Sequence, residues 1–74
     1  MTFTEILKQL TEYAAGIESG QYSYTDSIHL QKLQPVIINE YQAGTYNHNR
    51  YRVLSDLYFI LKDDERELFK KQEV

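Results

Sequence analysis

The chain has 74 residues, of which 42% are hydrophobic and 14% aromatic, a formal net charge of −3 and no cysteine. This length allows one domain, residues 1–74, and the hydrophobic fraction is too high for a disordered tail. The absence of cysteine excludes disulfides, thiolate metal clusters and cysteine nucleophiles, and it fits a reducing compartment.

The N-terminal segment carries Glu5 among its first apolar residues and has no basic leader, which is not the pattern of a secretory signal. No apolar run reaches the length of a membrane span. We therefore expect a soluble, cytoplasmic protein.

A first helix is predicted from the spacing of Thr2 and Glu5, which is that of a capping box. The apolar residues that follow recur at three- and four-residue steps: Phe3, Ile6, Leu7, Leu10, Tyr13, Ala14 and Ile17. Gly16 and Gly20 both allow a left-handed exit, so this helix is predicted to end between them.

A second helix is predicted to start at Thr25 or Asp26, either of which can act as its N-cap. Its apolar members are Ile28, Leu30, Leu33, Ile37 and Tyr41. Pro35 lacks a backbone N–H, so the helix is predicted to be kinked there or to restart with the proline in its first turn. A short strand over 27–33 is the weaker alternative, because only two of its apolar residues alternate.

A third helix is predicted after Gly44, with Asn47 as its N-cap. Residues 57–61 are all apolar or aromatic, and at about 100° per residue they circle the helix, so no single face can bury them. The sequence therefore predicts a homodimer, or a subunit of a larger complex, whose interface contains Leu57, Tyr58, Phe59 and Ile60. The alternative is a monomeric bundle that encloses this helix on most sides.

A break in the third helix is predicted near Asp63. In a continuous helix, Asp64 would enter the heptad-like seam formed by Leu54, Leu57, Leu61 and Leu68. The last segment, DDERELFKKQ, has acidic residues in its first turn and lysines in its last, which favours a separate short helix. The predicted fold is all-α: a small bundle of three main helices plus a short C-terminal helix.

Residues 46–52, YNHNRYR, concentrate cations and tyrosines in an otherwise acidic chain. Arg50 and Arg52 have no acidic neighbour between Glu40 and Asp56, and they follow a predicted helix N-terminus, where the dipole favours anions. This pattern predicts a corner that binds a carboxylate or phosphate, on an acidic protein surface or a nucleic-acid backbone. The alternative is that both arginines pair with carboxylates elsewhere in the fold. Nucleic acid is the less favoured partner, because the net charge of −3 opposes a polyanion.

Tyrosines in predicted loops are further candidates for partner contacts, since tyrosine is enriched in the centre of interfaces. The predicted partner-binding residues are Tyr22, Tyr24, Tyr46, His48, Arg50, Tyr51 and Arg52. Ordinary packing of the loop tyrosines over helix ends is the alternative.

No catalytic residue, cofactor site or metal site is predicted. His29 and His48 lack a second ligand at helical spacing apart from Asp26, and two groups are too few for a zinc or iron site. The expected function is a small non-enzymatic interaction module, such as an adaptor, regulator or inhibitor. The alternatives are a nucleic-acid-associated regulator that uses residues 46–52 and a purely structural subunit.

Overall fold

The computed structural model describes residues 1–72, which form three α-helices and no strand. The first helix, α1, spans Phe3–Ser19. Thr2 and Glu5 form the predicted capping box, with the Glu5 amide 3.2 Å from the Thr2 hydroxyl. Gly20 ends the helix in the left-handed region at φ 78°, and its amide donates to Ile17, so both predicted boundaries of α1 are confirmed.

The second helix, α2, spans Tyr24–Gln42, and its N-cap lies two or three residues before the predicted one. Ser23 is the N-cap, and its amide donates to the Asp26 carboxylate at 3.0 Å in a second capping box. Asp26 therefore contributes to the cap from the third helical position. The alternative of a strand over 27–33 is wrong, because this segment is helical throughout.

The predicted kink or break of α2 at Pro35 is not confirmed, since the helix continues through this residue to Gln42. Pro35 is exposed. Because it has no N–H, the carbonyl of Gln31 loses its usual intrahelical donor on the solvent side of α2, where water can replace it. Just beyond the end of α2, Gly44 adopts the left-handed region at φ 82°, which prevents the helix from continuing.

The third helix, α3, spans His48–Gln72 without interruption, so the separate C-terminal helix predicted beyond Asp63 is not confirmed. The predicted N-cap is in place, because Asn47 Oδ1 accepts from the Arg50 amide at 2.9 Å. The buried seam of α3 consists of Leu54, Tyr58, Leu61 and Glu65. The seam predicted from the leucines had Leu57 and Leu68 in place of Tyr58 and Glu65. Tyr58 occupies the place assigned to Leu57, so Asp64 lies outside the seam and does not interrupt the helix.

The helices pack with α1 and α3 parallel and α2 antiparallel to both, in a bundle of 44 × 17 × 16 Å. With 25 residues, α3 is about 38 Å long and covers most of this length. All three helices and both loops contribute to the core, which contains Ile6, Leu10, Tyr22, Leu30, Leu33, Ile37, Tyr46, Leu54, Tyr58 and Leu61.

Candidate functional site

Two of the loop tyrosines predicted to bind a partner belong to the core. Tyr22 and Tyr46 are only 4% and 6% exposed. The Tyr46 hydroxyl donates a hydrogen bond to the Ile37 carbonyl, and the Tyr22 ring lies 5.8 Å from that of Phe69. The loops that carry these rings fold back over the bundle, so neither ring is presented to a partner.

Burial raises the pKa of the Tyr22 hydroxyl above its usual value of 10.0, and the nearby Glu65 carboxylate raises it further. Burial also raises the pKa of three other tyrosines that pack in or against the core: Tyr13, Tyr46 and Tyr58. The phenolic protons of these side chains are therefore held more tightly in the folded chain than in the unfolded one.

We expect the free energy of unfolding to fall as the pH rises above about 10, the usual tyrosine pKa. Below that pH the contribution of the raised pKa values is fully present; above it, the unfolded chain releases protons that the folded chain retains. Urea unfolding at a series of pH values measures this dependence.

Tyr22→Phe is the matched variant for the pH series. The Tyr22 hydroxyl is buried beside Ser27 without a well-formed hydrogen bond to any described residue, so its removal should cost no stability at neutral pH. The variant should lose part of the alkaline dependence. A wild-type stability that stays level up to about pH 11 would contradict the role given to these tyrosines.

The other predicted aromatic residues lie at the surface. Tyr24 is exposed and stacks on Phe69, with ring centroids 4.3 Å apart. Tyr51 is half-buried and stacks on Tyr41, also at 4.3 Å, while His48 Nδ1 lies 3.2 Å from the Tyr41 hydroxyl. Tyr51 and His48 therefore belong to one aromatic cluster, and Tyr24 lies apart from it near the other end of the bundle.

Arg50 and Arg52 are both exposed, and neither has a carboxylate within 4.0 Å among the described residues. The Arg50 guanidinium lies over the Phe3 ring, 5.1 Å from its centroid. Residues two positions apart on a helix are separated by about 200° around its axis, so the two arginine side chains project from different sides of α3. The predicted single corner that uses both arginines is thus divided between two surfaces.

The four residues predicted to form an oligomer interface occupy different environments around α3. Tyr58 is buried and Leu57 is half-buried against the core, whereas Phe59 and Ile60 are each 55% exposed. Phe59 and Ile60 are 100° apart, so they belong to two separate surfaces. The interface predicted from the sequence lacks two other exposed apolar side chains, Ile28 of α2 and Val53 of α3.

The first surface, which we call the α3 stripe, consists of Arg50, Val53, Leu57, Ile60 and Asp64. These residues follow one another at steps of three and four, which aligns them along one face of α3. The two ends carry opposite charges, and the centre is apolar. Val53 and Ile60 are more than half exposed.

The second surface is a groove between α2 and α3, called the α2/α3 groove. Its walls are formed by Gln34 and Ile38 on one side and by Ser55 and Phe59 on the other. It has a volume of about 80 Å³, larger than the roughly 30 Å³ share of one liquid water, and is floored by Ile37, Tyr51 and Tyr58. The volume suits one short aliphatic side chain of a partner.

A buried carboxylate links α2 to α3 beyond the groove. The Ser27 hydroxyl donates to the Glu65 carboxylate, and Lys62 Nζ lies 2.8 Å from the same group. Glu65 is therefore paired and hydrogen-bonded in the core. Ser27 and Glu65 are 38 positions apart, and no local pattern indicates that they meet. The described residues contain no group of three His, Asp or Glu placed to hold a metal ion.

No protein-family model matches this chain, and no curated protein or solved structure shows significant similarity to it. Within residues 1–72, no helix is long and apolar enough to cross a membrane.

Proposed function

We propose that this protein is a non-enzymatic interaction module that forms a homodimer through the α3 stripe. The main support is that the exposed large apolar side chains are confined to two of the three helices and that Val53 and Ile60 align along one face of α3. Within the described helices, all of them lie on α2 and α3: Tyr24, Ile28, Ile38, Val53, Phe59 and Ile60. Isolated exposed apolar residues are normal, but rows at helical spacing are typical of docking surfaces.

The α3 stripe is complementary to itself when two copies pair antiparallel. Leu57 is its midpoint, because Arg50 precedes it by seven residues and Asp64 follows it by seven. A two-fold axis at Leu57 therefore brings each Arg50 to Asp64 of the partner subunit, and each Val53 close to Ile60 of the partner subunit. This is the arrangement that an isologous dimer requires.

The apolar centre contributes most of the expected binding energy. Burying one large aliphatic side chain contributes about 1.5–3 kcal/mol, and in a two-fold symmetric dimer each such contact occurs twice. An exposed arginine–aspartate pair contributes only about 0.2–1 kcal/mol, so Arg50 and Asp64 mainly fix the antiparallel direction.

Ile60→Asp should convert the dimer to a folded monomer, because it places a charge in the apolar centre. Light scattering should give twice the 8.8 kDa mass for the wild type at roughly tens of micromolar, a concentration above the dissociation constant expected for a dimer of moderate affinity. The variant should give the single-chain mass. Ile28→Asp is the matched control: Ile28 is equally exposed but lies on α2, so this variant should remain dimeric.

A charge exchange tests the direction of pairing. Arg50→Asp and Asp64→Arg should each weaken the dimer, and the double variant should restore it because the pair is re-formed in reverse. A wild type that scatters as a monomer, or a double variant weaker than both single variants, would overturn this proposal.

A further inference from the structure

The cation of the α3 stripe, Arg50, lies in the first turn of α3, where the helix dipole disfavours a positive charge. Its side chain is exposed, and no carboxylate lies within 4.0 Å of it among the described residues. The guanidinium carbon instead lies 5.1 Å from the ring centroid of Phe3, a residue of α1. This distance is that of a cation–π interaction. The Arg50 side chain is therefore held by a ring of another helix and not by an ion pair.

The Phe3 ring is itself held in place by the core. It is half-buried, and its centroid lies 6.2 Å from that of Tyr46 at an interplanar angle of 64°, which is an edge-to-face contact. Tyr46 is buried, and its hydroxyl donates to the carbonyl of Ile37 in α2. These contacts run from α2 through the loop and α1 to α3, so the ring under Arg50 is a fixed support.

Such a support favours pairing with a carboxylate from outside the chain. Arginine has many rotamers in water, and their loss on binding opposes association. The Phe3 ring restricts those rotamers before binding, and the amide of Arg50 is also fixed, because it donates to Asn47 Oδ1 at 2.9 Å. A ring contact leaves the positive charge of the guanidinium uncompensated, so Arg50 can still pair with an acidic group.

We infer that Phe3 is a positioning residue of the dimer, which orients Arg50 toward Asp64 of the partner subunit. The inference rests on the proposed dimer through the α3 stripe and adds α1 to an interface formed by α3. Because the interface is isologous, each dimer contains this arrangement twice.

A double-mutant cycle that combines Phe3→Leu with Asp64→Asn tests this inference. Sedimentation equilibrium gives the dimer dissociation constant of each variant. Phe3→Leu should weaken the dimer about fivefold, because an exposed cation–π contact can raise the population of the pairing conformer roughly two- to fivefold at each of the two sites. In the Asp64→Asn background, where Arg50 has no carboxylate to meet, the same substitution should change the dissociation constant by less than about twofold. The Asp64→Asn dimer remains measurable, because the apolar centre of the stripe contributes most of the binding energy.

Salt and a matched control separate positioning from packing. The coupling between Phe3 and Asp64 acts through a charge pair, so it should shrink at about 1 M salt, where the screening length is about 3 Å. Phe69→Leu is the matched control. Phe69 is also half-buried, but it stacks on Tyr24 and lies about 180° from Ile60 around α3, so its loss should leave the dissociation constant unchanged. Circular dichroism of each variant checks that the helices are retained.

Arg50→Lys tests the same support without a change in the core. Lysine keeps the charge, but its compact ammonium lacks the planar group that arginine places over a ring. We expect Arg50→Lys to weaken the dimer and to add little to the loss caused by Phe3→Leu. Full addition of the two losses would mean that the ring does not act through Arg50.

The results distinguish this inference from the proposed function. If the wild type is dimeric and Ile60→Asp dissociates it, but Phe3→Leu weakens the dimer equally with and without Asp64, Phe3 serves only the packing of the bundle and the inference is overturned. A Phe3→Leu variant that dimerises as tightly as the wild type would overturn it as well. In both cases the dimer itself would stand. A wild type that stays monomeric would overturn the proposed function and the inference together.

Discussion

Leu54→Ala is expected to leave most of the chain unfolded at room temperature. Leu54 is 0% exposed and lies in the seam of α3, between the other two helices. Truncating a leucine at such a position costs about 2–5 kcal/mol. A domain of this size seldom has more than about 3–5 kcal/mol available from its core, so the loss is comparable with the whole margin.

Urea unfolding followed by circular dichroism measures this effect, at a concentration low enough for dimerisation not to add stability. Val53→Ala is the matched control. The Val53 side chain is 51% exposed, so its truncation should lower the free energy of unfolding much less. Similar losses for the two variants would mean that the register of α3 described here is wrong.

Pro35→Ala is expected to stabilise the chain by about 2 kcal/mol. Proline in a helix interior costs about 3 kcal/mol relative to alanine, and alanine restores the amide that the Gln31 carbonyl lacks. Part of the gain, about 0.4–1 kcal/mol, is offset because proline also restricts the unfolded chain.

The midpoint of urea unfolding should therefore rise for Pro35→Ala, while Lys32→Ala, an exposed substitution one turn earlier, should change it little. An unchanged or lower midpoint for the proline variant would show that α2 depends on a bend at this residue.

Local signals of the sequence predict most helix ends correctly; the exception is the start of α2, where Ser23 rather than Thr25 or Asp26 is the N-cap. The capping box at Thr2, the cap at Asn47 and the stops at Gly20 and Gly44 all depend on residues within one turn of each other. Such interactions can be recognised without knowledge of the tertiary fold.

The errors arise where packing between helices decides the outcome. The choice between Leu57 and Tyr58 for the seam sets the register of α3, and hydrophobicity alone favours the leucine. The bundle instead buries Tyr58 and continues the seam through Glu65. The cost of burying this carboxylate is compensated by a hydrogen bond from Ser27 and an ion pair with Lys62. That compensation comes partly from another helix and has no local signature.

Prediction of the candidate surfaces was limited for the same reason. Tyr22 and Tyr46 precede helices in the sequence, and only the closing of the loops over the bundle shows that they are buried. The exposure of Phe59 and Ile60 follows from the ring of apolar residues at 57–61, since one helix face cannot bury them all. The sequence does not indicate which of the five remain outside.

The antiparallel pairing of α3 is tested most directly by a distance between two copies. The chain has no cysteine, so Glu67→Cys, at an exposed position beside the stripe, accepts a single spin label. Pairing about Leu57 places the two labels about 20 residues of helix rise, or roughly 30 Å, apart along the axis. A dipolar distance near that value supports the account. No measurable coupling, or a distance close to the 8–10 Å between parallel helices packed side by side, would contradict it.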